Sequence, residues 1–188
     1  MMMPDSPKHE SLRPSHPLAL ELIERMRERR GAHILEVGRG SGRNLRALES
    51  AGFHVVDFSG SFGGLCAGAL STHALLHGTS TEIALLLEQV AGRIERGAPF
   101  FCTFGSARDA RFGQGTRIDA QTFAPVDGDE AGVAHTFFSE SQLREVLRDR
   151  WIVESLVEGN ADNIAGRWAH GKKPLERSVH YFAKLQRH

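Results

Sequence analysis

Cysteine is scarce in this sequence: Cys66 and Cys102 are the only two in 188 residues, and both sit in apolar or glycine-rich surroundings. That excludes a disulfide framework and suits reduced thiols in a cytosolic protein. Excess charge of either sign is missing as well, since 23 Lys and Arg balance 23 Asp and Glu and the formal net charge is zero. A chain with so little overall field has no general attraction for nucleic acid or an anionic membrane, and neither is expected as a partner. Long apolar runs are absent. The longest, Ile83 to Leu87, is far too short to span a bilayer, and residues 1–17, rich in Pro, Ser and His, lack the apolar core of a signal peptide. Cytoplasmic localisation is therefore expected. There are no internal repeats. The remaining composition, 40% hydrophobic and 24% charged, is that of one compact domain over 17–188 behind a flexible tail, 1–16.

Hydrophobic periodicity along that domain alternates between helix and strand. Ser15-His16-Pro17 reads as a helix start, followed by Leu18, Leu22, Ile23 and Met26 on one side and stopped by Gly31. His33 to Val37 is a short apolar strand, and Asn44 to Ala51 a helix carrying Leu45 and Leu48. Phe53 to Asp57 is a second strand ending in an acid, and Ala67 to Ser71 a third. Thr79-x-x-Glu82 matches a capping box and opens a helix to about Arg96. Phe100 to Phe104 is apolar at nearly every position, as expected of a strand buried on both faces of a parallel sheet. Ser139-x-x-Gln142 caps another helix, and Trp151 to Val157 and Val179 to Leu185 are two final strands. Gly105 to His135 reads as a long polar loop, and loops of that length often carry function.

The strongest local signal is Glu36-Val-Gly-Arg-Gly-Ser-Gly-Arg-Asn44, with Gly38, Gly40 and Gly42 between the first strand and its helix. Glycines there let the backbone turn sharply and approach a ligand, and the helix N-terminus offers N–H groups to an anion. A dinucleotide fingerprint needs glycine at 43, where Arg43 stands. Glu36 would repel a pyrophosphate, yet it can accept a hydrogen bond from the ammonium of a zwitterionic amino acid. S-adenosylmethionine (SAM) fits that charge pattern better than a nicotinamide dinucleotide. A glycine turn with no ligand is the plain structural alternative.

Residues 34–44, Ile-Leu-Glu-Val-Gly-Arg-Gly-Ser-Gly-Arg-Asn, resemble the first motif of the class I SAM-dependent methyltransferases. The resemblance resumes at 69–77, at Pro99 to Phe104, at Gln121-Thr122-Phe123 and at 128–138, where it is similar to the small bacterial methyltransferases of the tellurite-resistance type. It implies an α/β fold: a three-layer sandwich around a Rossmann-like, mostly parallel sheet, with one antiparallel strand, Val179 to Leu185, near the C-terminus. It also implies SAM as cofactor and a small-molecule methyl acceptor bound beneath 105–135. Position by position it puts Glu36, Gly38, Gly40 and Gly42 around the methionine part of SAM, with Arg39 and Asn44 in the same motif. Asp57 falls on the ribose hydroxyls, and Ser71, Thr72 and His73 along the floor beside the sulfonium.

The chain departs from that family between Asp57 and Ala67, where Phe-Ser-Gly-Ser-Phe-Gly-Gly-Leu-Cys replaces a helix, a strand and a further helix. The expected sheet is thus reduced. Apolar surface around Phe58, Phe62 and Leu65 then has to be buried by the N-terminal helix or by a second copy of the chain, so a homodimer is an expectation. A relative that has lost SAM binding and acts through protein interaction is the competing function, with an oxidoreductase last. His73 and His77, four apart, would share a helical face, but with no third ligand nearby in sequence no metal is expected. His135, if the long loop folds over the cleft, is the candidate general base.

Overall fold

The structure, a computed structural model, describes residues 14–40, 42–128, 130–161 and 178–188. The expected flexible tail lies outside the described residues up to position 13, and its last residue, His16, is instead fully buried. The first helix, α1, is Pro17–Arg25. The strands of the first half are β1, His33–Glu36, then β2, His54–Asp57, and β3, Gly68–Ser71, with helix α2, Leu45–Ser50, between the first two. Helix α3, Ser80–Arg93, leads to β4, Pro99–Ser106. The chain then forms β5, Thr116–Arg117, β6, Thr122–Ala124, and β7, His135–Phe138, before α4, Glu140–Leu147, β8, Trp151–Asn160, and β9, Val179–Arg187.

Both capping boxes form. The Thr79 and Ser139 side chains accept from the third-residue backbone N–H of α3 and α4, and Glu82 and Gln142 reach back to the cap N–H. At α1, His16 caps the helix through its ring rather than a hydroxyl.

Strands β2, β1, β3 and β4 lie in that order and are parallel, with β9 antiparallel to β4 and β8 antiparallel to β9. Alternate residues supply opposite faces. Leu35, Ala69, Phe100, Cys102 and Phe104 pack with Ile83, Leu87 and Val90 of α3 and Leu143 and Leu147 of α4. Ile34, Leu70 and Phe101 pack with Leu18 and Leu22 of α1 and Leu48 of α2. That period of two, apolar on both sides, gives the three expected layers. Both cysteines are buried free thiols. No helix among the described residues is long and apolar enough to cross a membrane.

One expectation needs correction. The stretch 105–135 is not a structureless loop: β6 pairs antiparallel with β5 and β7, and β7 joins β4 at Gly105 and Ser106. Leu76, Phe123 and Phe137 give this meander a small core of its own. Residues 58–67 do lack a helix or strand, and no strand pairs with the outer edge of β2 among the described residues. Two of their three apolar side chains are partly covered from within the chain. Phe58 and Phe62 are partly buried against the main core, Arg93 donates to the Phe58 and Gly60 carbonyls, and Phe62 packs on His33 at 4.5 Å. Leu65 alone of the three stays largely exposed, at 53%.

Candidate functional site

The chain leaves β1 for β2 on one side and enters β3 on the other, so the carboxyl ends of β1 and β3 flank a topological switch point, where open α/β sheets form their ligand crevice. Glu36 and Val37 end one wall; Ser71, Thr72 and His73 begin the other. All three glycines of the intervening turn have positive φ, but two serve different ends. A Cβ on Gly38 would lie 2.2 Å from the Ala74 Cβ, so this glycine lets the segment after β3 pack on the turn. A Cβ on Gly40 would meet nothing within 4 Å, which leaves its backbone open to a ligand.

Glu36 and Asp57 are register partners at the ends of β1 and β2, and Arg39 lies between them, its Nε 3.6 Å from Glu36 Oε2 and 3.7 Å from Asp57 Oδ2. Both separations are ion pairs too long for hydrogen bonds, and Glu36 Oε2 is buried without a hydrogen-bond partner. Burial pushes the Glu36 carboxyl above the usual range, against the pull of Arg39. Asp57, one third exposed, is held below it by hydrogen bonds from the Ser59 hydroxyl and N–H. Asn44, buried, donates from Nδ2 to Thr72 Oγ1 at 3.0 Å and accepts at Oδ1 from the His16 N–H at 2.9 Å. It thereby ties the glycine turn to the start of α1. Ser71 Oγ is buried without a hydrogen-bond partner.

Beyond Thr72 lies a group the sequence did not disclose. His73 has a left-handed backbone, φ 68°, held by its N–H donating to Thr103 Oγ1 at 2.8 Å. Its ring lies 5.4 Å from that of His16 and 5.2 Å from that of His180, all three buried. A non-glycine residue in that conformation stores strain of the kind that collects at functional sites. His16 Nδ1 accepts from the Leu18 N–H at 3.1 Å, which leaves the proton on Nε2, a buried donor without a partner. Burial first, then the charges of Arg43 and His180, lower its pKa to about 3. On the far side of His180, Asp109 receives Arg111 through two side-chain bonds and the Val179 N–H at 2.8 Å. Burial would raise the Asp109 carboxyl, but Arg111 holds it below its ordinary value. The 105–135 segment thus packs against the histidine cluster, with Arg111 Nη2 3.3 Å from His180 Nε2.

Two expected site residues, His73 and His135, are found in new company, together with His77. His73 and His77 do not share a helical face, because a short 3-10 turn, Ala74–Leu76, separates them. His77 instead meets His135, ring to ring at 4.9 Å. His135, on β7, is buried and engaged at both nitrogens: Nδ1 at 2.8 Å from the Val133 carbonyl and Nε2 at 3.1 Å from Glu130 Oε2. His77 Nε2 lies 3.5 Å from the other Glu130 oxygen. Burial would raise the Glu130 carboxyl, yet hydrogen bonds from the two histidines hold it well below the carboxylate range. Glu130 and His16 had no motif to mark them; both become visible only when β7 and α1 are in place.

No protein-family model matches the sequence, and no curated protein matches it. Solved structures share its fold. One is the 1,6-didemethyltoxoflavin N1-methyltransferase of Burkholderia thailandensis, with bound 1,6-didemethyltoxoflavin and S-adenosylhomocysteine (SAH). It is 14% identical at a TM-score of 0.59, over 92% of this chain and 78% of that one. A SAM-dependent methyltransferase from Methanosarcina mazei is 15% identical at 0.56, over 98% of both chains. The magnesium protoporphyrin IX methyltransferase of Synechocystis, with bound SAH, is 9% identical at 0.51, over 90% of this chain and 82% of that one. The sheet with its flanking helices is therefore the class I methyltransferase fold.

Proposed function

We propose that the chain is a SAM-dependent methyltransferase acting on a small molecule, with the cofactor in the crevice between β1 and β3. The observation that carries this reading is the Glu36 carboxyl. It is buried, with one oxygen lacking a hydrogen bond, beside a glycine turn whose Gly40 backbone is open. An unsatisfied buried acceptor of that kind fits the ammonium of the methionine moiety. Asp57 supplies a carboxylate at the next strand end, suited to a vicinal diol, and Arg39 is the cation that balances both acids until a ligand brings its own. Bound SAM would supply an electrophilic methyl group. The protein's part is to orient the partners and keep water out, for which the buried side chains of Asn44, Ser71 and His73 are suited.

The acceptor pocket in this reading is lined by His16, His73 and His180 and closed by the Asp109–Arg111 turn. His16, neutral at physiological pH, offers its Nε2–H to an acceptor oxygen or nitrogen. His135 is turned to Glu130 and Val133, so His73 is the side chain we assign to the acceptor contact. The stretches 121–123 and 128–138 favour the small bacterial methyltransferases of the tellurite-resistance type, in a form shortened across 58–66. A cytoplasmic protein without nucleic-acid or membrane partners agrees with its zero net charge. A second reading, a non-catalytic relative, draws on one observation: Arg39 already satisfies Glu36 and Asp57 in part. Thermal unfolding with SAM, SAH and NAD separates the two. Ligand at a hundred times its Kd adds about 2.7 kcal/mol. Stabilisation by SAM and SAH but not by NAD supports the enzyme, and none by any of them supports the relative without a cofactor.

A further inference from the structure

We propose that His77, Glu130 and His135 form a binding site for a divalent transition-metal ion, zinc by preference, independent of the cofactor crevice. The donor atoms of the three side chains all lie within 4.8 Å of one another. The decisive feature is the direction of the His135 ring. A backbone carbonyl only accepts, so the nitrogen facing Val133 O at 2.8 Å carries the proton. In a neutral ring the other nitrogen, Nε2, then presents its lone pair to Glu130 Oε2 at 3.1 Å.

His77 supplies the second imidazole. Its Nε2 approaches the second oxygen of the same carboxylate at 3.5 Å, and its ring stands 4.9 Å from that of His135. One metal ion takes both lone pairs and the carboxylate at once. The spacing agrees, since ligands about 2.0 to 2.1 Å from a tetrahedral zinc are about 3.3 Å apart. Two imidazoles and one carboxylate form a donor set for zinc and its first-row neighbours rather than for magnesium or calcium, which prefer oxygen throughout. The His135 Nδ1 bond to a backbone carbonyl is also the arrangement that fixes the tautomer and direction of a ligating histidine.

The site joins two segments already in register. The Gly78 N–H donates to the Ala134 carbonyl at 2.8 Å, and Thr136 Oγ1 donates to the Gly78 carbonyl at 2.7 Å. His77 and Glu130 are partly exposed, at 39% and 27%, so solvent reaches the position a fourth ligand would take. A bound ion would fasten 130–135 to the segment after β3.

The test uses the tag-free full chain, stripped with a chelator and titrated with zinc chloride by calorimetry, then with cobalt chloride by visible absorption. One zinc per chain is expected, with the absorption of cobalt bound to nitrogen and oxygen ligands. His77→Ala and Glu130→Gln, the first at an exposed position and the second nearly isosteric, should each weaken zinc by about a hundredfold. Both should keep the circular dichroism of the parent. No uptake by the parent, or uptake that both variants retain unchanged, overturns the proposal.

Discussion

His16 joins fold and site in one titratable side chain, and its pH dependence follows from the structure. Burial lowers the folded ring's pKa to about 3, against its ordinary value of 6.5. Above 6.5 the ring is neutral folded or unfolded and contributes no pH dependence. As pH falls below 6.5 the unfolded chain binds a proton that the folded chain refuses, so stability drops until the folded value is reached. At about pH 5 that difference is about 2 kcal/mol, or about 4 to 8 °C in Tm for a chain of this size. His16→Asn isolates the effect, because Asn is a good helix cap that does not titrate. Denaturant melts of parent and variant at about pH 7 and pH 5 should show the variant losing about 2 kcal/mol less than the parent over that interval. Other groups titrate in both proteins and cancel in the difference. Equal losses would mean that the ring takes up a proton in the folded state, and would remove the neutral Nε2–H donor from the pocket.

Gly40→Val should abolish SAH binding while costing the fold about 1 to 2 kcal/mol for a branched residue at positive φ, read by calorimetry and by melting. Undiminished binding would make the turn merely structural. Asp57→Asn should weaken SAH by about tenfold and leave methionine unaffected, since a charged hydrogen bond to the ribose diol is what it removes; equal losses for both ligands would take Asp57 out of the site. Arg39→Ala leaves Glu36 and Asp57 without their cation, so it should favour SAM, which carries the sulfonium charge, over SAH. An unchanged ratio of the two affinities would place Arg39 outside the cofactor's field.

The sheet and its layers were legible because their signals are local. The Thr79 and Ser139 capping boxes mark helix starts within four residues, and the run at 100–104, apolar at all but Thr103, states that β4 is covered on both faces. Strands β5 and β6 escaped because two or three residues in a polar stretch show no period of two. The glycine turn was legible as a motif, but the separate duties of Gly38 and Gly40 depend on Ala74, thirty-odd residues away and brought near by β3. The histidines were visible only as residue types. Their partnerships, His16 with His73 and His180, and His77 with Glu130 and His135, come from non-neighbouring segments, and helical spacing pointed to a different pair.

Calorimetric titration of the unmodified chain with SAH tests the central claim most directly, with Glu36→Gln as the companion. The account predicts one site per chain with a Kd in the tens of micromolar, as about 1 to 3 kcal/mol of adenine burial and stacking is forfeited along the short 58–66 link. It also predicts that Glu36→Gln weakens that site further. Absence of binding, or binding that Glu36→Gln leaves unchanged, would contradict a cofactor crevice between β1 and β3.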